Sequence, residues 1–137
     1  MKARLLDISN GLAVINKWGQ FTVSPRFGFN LARATKVIEP ILSVYEAERI
    51  KLLNTYGEPP KEGQGNYVFE EGKLAEFNNA LAELLRTDTD LPISPLPITM
   101  LDDEAAKGFA PTLSELIAIS WLFEQEVKDE SSNKREL

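Results

Sequence analysis

The chain has 137 residues, a formal net charge of −6, 43% hydrophobic residues, and neither cysteine nor histidine. A domain of this length buries roughly 68% of the surface its unfolded chain exposes, so it needs no metal or disulfide staple. The missing cysteines exclude disulfide scaffolds, zinc ribbons and thiol nucleophiles, and the missing histidines exclude Ser-His-Asp catalysis and the H-E-x-x-H zinc site.

In chain order, residues 2–8 read as a short strand or extended lead-in. Over 11–18 two readings stand: a brief helix capped by Ser9 or Asn10, with Leu12, Ile15 and Trp18 on one face, or a hairpin strand pairing with Phe21-Thr22-Val23. Ser24-Pro25 signals a helix start, with a hydroxyl at the N-cap and proline where its missing N–H costs nothing. The helix it opens runs to Tyr56, on apolar positions that include Leu31, Ala34, Ile38, Leu42, Tyr45, Leu52 and Leu53, and stops at Gly57 ahead of Pro59-Pro60. Pro40 removes a backbone hydrogen bond in its middle and predicts a kink or a break. Arg49 falls on the apolar stripe between Tyr45 and Leu52, which predicts a buried stem and a carboxylate partner from elsewhere in the fold.

Residues 57–72 form a polar Gly/Pro loop around an extended Asn66-Tyr67-Val68-Phe69. Its Gly63-x-Gly65 follows no buried strand and has acidic neighbours, so it is not a phosphate loop. Leu74, Phe77, Leu81, Leu84 and Leu85 mark a helix over 73–86 that pairs antiparallel with the long one. Prolines 92, 95 and 97 confine 87–98 to polyproline or edge-strand geometry. Thr112-x-x-Glu115 is a capping box that opens a last helix over 113–123, apolar almost all round. Such a helix is either central to the core or buries a second face in a partner. The fold class expected is mainly α (α+β): a long kinked helix paired with a second, a small N-terminal β element and a short C-terminal helix. One globular domain spans 1–125, and 126–137 is a charged flexible tail.

Charge is polarised along the chain. Residues 1–56 carry a net +4 and residues 57–137 a net −10. Net acidity opposes direct nucleic-acid binding, which relies on Lys and Arg to displace counterions. No run is apolar enough to span a membrane, and Met1 to Asp7 is interrupted too early for a signal peptide, so an intracellular protein is expected. The best candidate for a catalytic or metal site is Asp102-Asp103-Glu104 with Asp88 and Asp90. Consecutive acids point to different sides of a helix, and acids before Ala105-Ala106 are what a helix N-terminus prefers, so no catalytic, metal or cofactor site is assigned.

The helix end Glu46-x-x-Arg49-x-x-Leu52-Leu53-x-x-Tyr56-Gly57 precedes Gly65-Asn66-Tyr67, Glu76-Phe77-Asn78 and Glu83-Leu84-Leu85. Leu91-Pro92-Ile93 and Leu113-Ser114-Glu115-Leu116 follow. Over roughly residues 27–123 this order resembles a widespread group of small, uncharacterised tailed-bacteriophage proteins. The resemblance implies viral origin and a helical-hairpin fold, and it brings no catalytic residues. The function expected is non-enzymatic binding of a host protein machine (transcription, nuclease or defence complex) in the host cytoplasm, modulating or inhibiting it. In a virion or assembly component, the alternative, the final helix docks on neighbouring copies or head–tail partners. Candidate binding residues are Leu116, Ile119, Trp121, Leu122 and Phe123 on the final helix, with the acids Glu76, Glu83, Asp88, Asp90, Asp102 and Asp103; Arg49, Tyr45 and Tyr56 are structural.

Overall fold

A computed structural model describes residues 1–60 and 65–124; it is mainly helical, with 63% of the described residues in helix. The charged tail 126–137 lies wholly, and Gly63-x-Gly65 partly, outside the described residues. The chain opens with β1 (Lys2–Arg4), which pairs antiparallel with β4 (Asp88–Asp90) in the register Lys2↔Asp90, Ala3↔Thr89 and Arg4↔Asp88. Helix α1 (Leu5–Trp18) follows at once and buries Leu5, Ile8, Gly11, Val14, Ile15 and Trp18. It starts six residues earlier than the helical reading of 11–18, and no hairpin forms, so Ser9 and Asn10 lie inside the helix and not at its cap. The Leu5–Ile8–Ile15–Trp18 spacing supplies one continuous helical face, and burying it outweighs the β preference of Val14 and Ile15.

Helix α2 (Pro25–Tyr56) runs unbroken through Pro40. Pro40 and Lys36, the residue whose carbonyl loses its partner, both lie on the exposed side, where water can satisfy that carbonyl. The first half of α2 buries Phe27, Leu31, Ala34 and Ile38 in the main core. The second half has no fully buried residue; Ile41, Leu42, Tyr45, Leu52, Leu53 and Tyr56 are half-buried, and it packs with α3 (Lys73–Leu85). Phe77 anchors that outer layer, with its ring 5.4 Å from that of Phe69.

Gly57 ends α2 as expected, but its backbone is extended (φ −124°, ψ 178°) and leads into β2 (Gly57–Glu58), paired with β3 (Val68–Phe69). The glycine is required by space: a Cβ there would stand 2.8 Å from the Phe69 ring. Arg49 corrects the expectation placed on it. Its guanidinium pairs with Glu46 one turn back on α2, at 2.5 Å, and its side chain is 33% exposed. A carboxylate at i−3 is always within reach on a helix, so no distant partner had to be recruited.

After β4 the chain passes through the proline-rich stretch to Leu96, which bridges the 122–124 segment in parallel: Leu96 N donates to Leu122 O (2.8 Å) and Glu124 N to Leu96 O (2.9 Å). Helix α4 (Thr99–Ala105) carries Asp102 in its first turn, as a helix N-terminus prefers, while Asp103 and Glu104 fall further along it. Glu104 is buried and reaches the start of α2, accepting from Ser24 N (3.1 Å) and from the Ser24 hydroxyl. Ser24 therefore makes no side-chain cap of its own; Glu104 takes the hydroxyl instead. Helix α5 (Leu113–Ile119) carries the expected capping box and ends earlier than the 113–123 reading, passing into a 3₁₀ turn over Ser120–Leu122. Ile8, Trp18, Phe27, Ile38, Ile119 and Leu122 form the fully buried centre, with Phe109 edge-on to Trp18 at 5.1 Å.

Candidate protein-interaction surface

The final helix turns on one carboxylate. Glu115 Oε1 accepts from Thr112 N (3.0 Å) and from the Trp18 indole (3.2 Å), while Oε2 pairs with Lys17 Nζ at 2.6 Å. The lysine, the Thr112 amide and the indole together hold this carboxyl at a pKa of about 2, well below the ordinary 4.5. A buried glutamate fixes the rotation of α5. With Glu115 and Ile119 turned inward, Leu113 and Ile117 point outward, 73% and 65% exposed.

This rotation corrects the candidate binding face. Ile119, Leu122 and Phe123 are buried within the protein's own core; Ile119 and Phe123 reach the surface only as lining at the bottom of a groove, and Leu122 does not reach it. Trp121 is half-buried against α1, its ring over Gly11 and its indole N–H bonded to the Ala118 carbonyl (3.0 Å). Leu116 is half-buried and lines a groove. One side of this apolar helix is core, and Leu113 and Ile117 on the other are exposed.

The groove lies between α4 and the 113–123 segment and encloses about 670 Å³. Ile98, Leu101 and Ala105 line it from α4 and its lead-in, Leu116, Ile119 and Phe123 from the facing segment, and Phe109, Ala110 and Pro111 from the loop between. Asp102 and Glu124 are its charged members. Sequence reasoning missed Ile98, Leu101 and Phe109, whose spacing fits no single helix face; they meet only because the loop after α4 folds back.

The remaining acids are scattered. Glu76 and Glu83 are exposed on α3, beside Tyr56 and Arg86 in a shallow hollow of about 470 Å³, and Glu76 pairs with Lys73 at 3.6 Å. Asp88 and Asp90 are exposed on β4, and Asp90 pairs with Lys2 at 3.8 Å. Asp103 is exposed beside Asp102 on α4. The acids named from sequence thus occupy three elements, and Asp102 alone among them lines the apolar groove. Among the described residues no three acidic side chains gather as a possible metal site, and no helix is long and apolar enough to cross a membrane.

Comparison adds no name to this surface. No family model matches the chain, and no curated protein or solved structure is significantly similar to it. The α4/α5 groove and its neighbouring ridge must therefore be read from their chemistry. Apolar floor, acidic edge and an uncovered aliphatic ridge are features of protein recognition, in which a few buried anchors supply affinity and charges at the rim supply orientation.

Proposed function

We propose that this protein is a non-enzymatic bacteriophage accessory factor that binds a host protein machine and modulates or inhibits it. The observation that carries the reading is the apolar groove between α4 and α5, together with exposed Leu113 and Ile117 on α5. Exposed aliphatic side chains grouped beside a groove are costly to leave in water and favour a partner that covers them. The phage resemblance supplies the setting, and net acidity turns the partner away from nucleic acid toward protein.

The test is affinity capture from phage-infected bacteria with the tagged wild-type chain and with the Leu113→Asp/Ile117→Asp variant, whose exposed positions leave the core intact. The expected result is a host polymerase, nuclease or defence subunit retained by wild type and lost from the variant. Recovery of portal, head or tail proteins in its place would overturn the host-machine reading in favour of an assembly role.

A further inference from the structure

We infer that the groove between α4 and α5 takes a basic amphipathic segment of another protein, one that offers aliphatic or aromatic anchors flanked by Lys or Arg. The inference rests on the protein-binding reading above and names the partner's chemistry. Its floor is aliphatic and aromatic, with Leu101, Phe109, Leu116 and Phe123 prominent, and its volume of about 670 Å³ accommodates several large side chains. Among the described residues its charged lining is of one sign, Asp102 and Glu124. Residues 98–124 hold five acids and a single cation, Lys107. Two of the acids are already satisfied: Glu104 by Ser24, and Glu115 by Lys17 and Trp18. Asp102, Asp103 and Glu124 are exposed, and none has an ion-pair partner among the described residues. Lys107 stands past the far end, in a hollow that shares only Phe109 and Ala110 with the groove.

Two unpaired carboxylates, Asp102 and Glu124, at the rim of an apolar trough favour a cationic, amphipathic occupant and disfavour others. A second copy of this chain would bring a net charge of −6 to an acidic rim. Residues 125–137, which follow Glu124 directly, offer only Val127 and Leu137 as apolar anchors, too few to fill the trough.

The probe is a fluorescein-labelled amphipathic peptide of leucine and lysine about 14 residues long, close to four helical turns, with a leucine–glutamate counterpart. Binding to the full chain is followed by anisotropy, and its location by methyl NMR shifts of Ile98, Leu101 and Leu116. The lysine peptide is expected to bind one-to-one and shift those methyls. Its affinity should fall about tenfold in Asp102→Lys/Glu124→Lys, where attraction becomes repulsion, and stay unchanged in the exposed control Glu39→Lys. The milder Asp102→Asn/Glu124→Gln variant should lose less and show a weaker salt dependence.

Three results overturn the inference: no shift of the groove methyls, equal or tighter binding of the glutamate peptide, or a concentration-dependent dimer that the charge reversal dissociates. Tighter binding of the glutamate peptide would sink the partner chemistry and leave protein binding standing. A successful peptide titration beside affinity capture of portal, head or tail proteins would sink the host-machine reading and leave the partner chemistry standing.

Discussion

Gly11→Ala separates what the α1 helix prefers from what the tertiary structure permits. Gly11 lies inside α1, where alanine is favoured over glycine by about 1 kcal/mol. By that reasoning the substitution stabilises. In the folded protein, however, a Cβ at position 11 would stand 2.5 Å from Cζ2, 2.8 Å from Nε1 and 2.9 Å from Cε2 of Trp121. Carbon atoms in contact prefer about 3.5–4.0 Å, so the indole or the helix must move. Overpacking of this kind costs about 1–3 kcal/mol, and offsetting the propensity gain leaves a net loss of about 0–2 kcal/mol. In a Trp121→Ala background the obstruction is gone and the same change should stabilise by about 1 kcal/mol. The two backgrounds thus differ by about 1–3 kcal/mol, the overpacking term itself. Trp121→Ala should remain folded, because a half-buried indole contributes less than the about 5–15 kcal/mol of a typical domain's stability. Urea unfolding of the four proteins, followed by far-ultraviolet circular dichroism, measures the cycle. If Gly11→Ala shifts stability equally in both backgrounds, the indole is not seated on Gly11 and the packing of the final segment on α1 is wrong.

Arg49→Ala should cost less than about 1 kcal/mol in the same assay, because its pair with Glu46 is local and a third exposed; a loss of 3 kcal/mol or more, about what a buried pair costs, would return the guanidinium to the interior. Pro40→Ala restores the α2 hydrogen bond to Lys36 and should raise stability by about 1–3 kcal/mol. No gain there would mean that the geometry proline imposes is needed to seat Ile38 and Ile41. Glu115 and Glu104 both have native carboxyl pKa values below the ordinary 4.5, the first through Lys17, Thr112 and Trp18 and the second through Ser24. A depressed native pKa stabilises fully above the unfolded value, and that stability is lost as pH falls through 4.5 toward about 2 for Glu115. Glu115→Gln should therefore flatten the acid limb of a stability–pH profile taken across that window; an unchanged limb would place the lysine and indole contacts elsewhere.

Local rules made the helical scaffold legible. The spacing Leu74–Phe77–Leu81–Leu84 marks α3, Ser24-Pro25 and Gly57 bracket α2, and Thr112-x-x-Glu115 opens α5; each depends on neighbours within one or two turns. The extended reading of 66–69 holds at Val68–Phe69, and of the 87–98 stretch read as polyproline or edge strand, Asp88–Asp90 forms a strand. Where the decisive partner lay far along the chain, sequence reasoning failed. The hairpin alternative over 11–18 falls because α2 and α5 cover the apolar face of α1. Ser24 does not cap its helix because Glu104, eighty residues on, takes its hydroxyl.

The candidate binding surface shows the same division most plainly. From its sequence α5 is apolar on nearly every side, and its single acid, Glu115, is placed only as the partner of Thr112 in the capping box. Lys17 and Trp18 of α1 draw Glu115 inward, and on a helix one inward residue fixes the direction of all the rest. That contact sends Ile119 to the core and Leu113 and Ile117 to solvent. Sequence alone determined that this chain would be a helical protein with an apolar final helix and an acidic second half. Tertiary structure decided which of those apolar residues a partner can reach, because a long-range ion pair, and not the local pattern, sets the rotation of the helix that carries them.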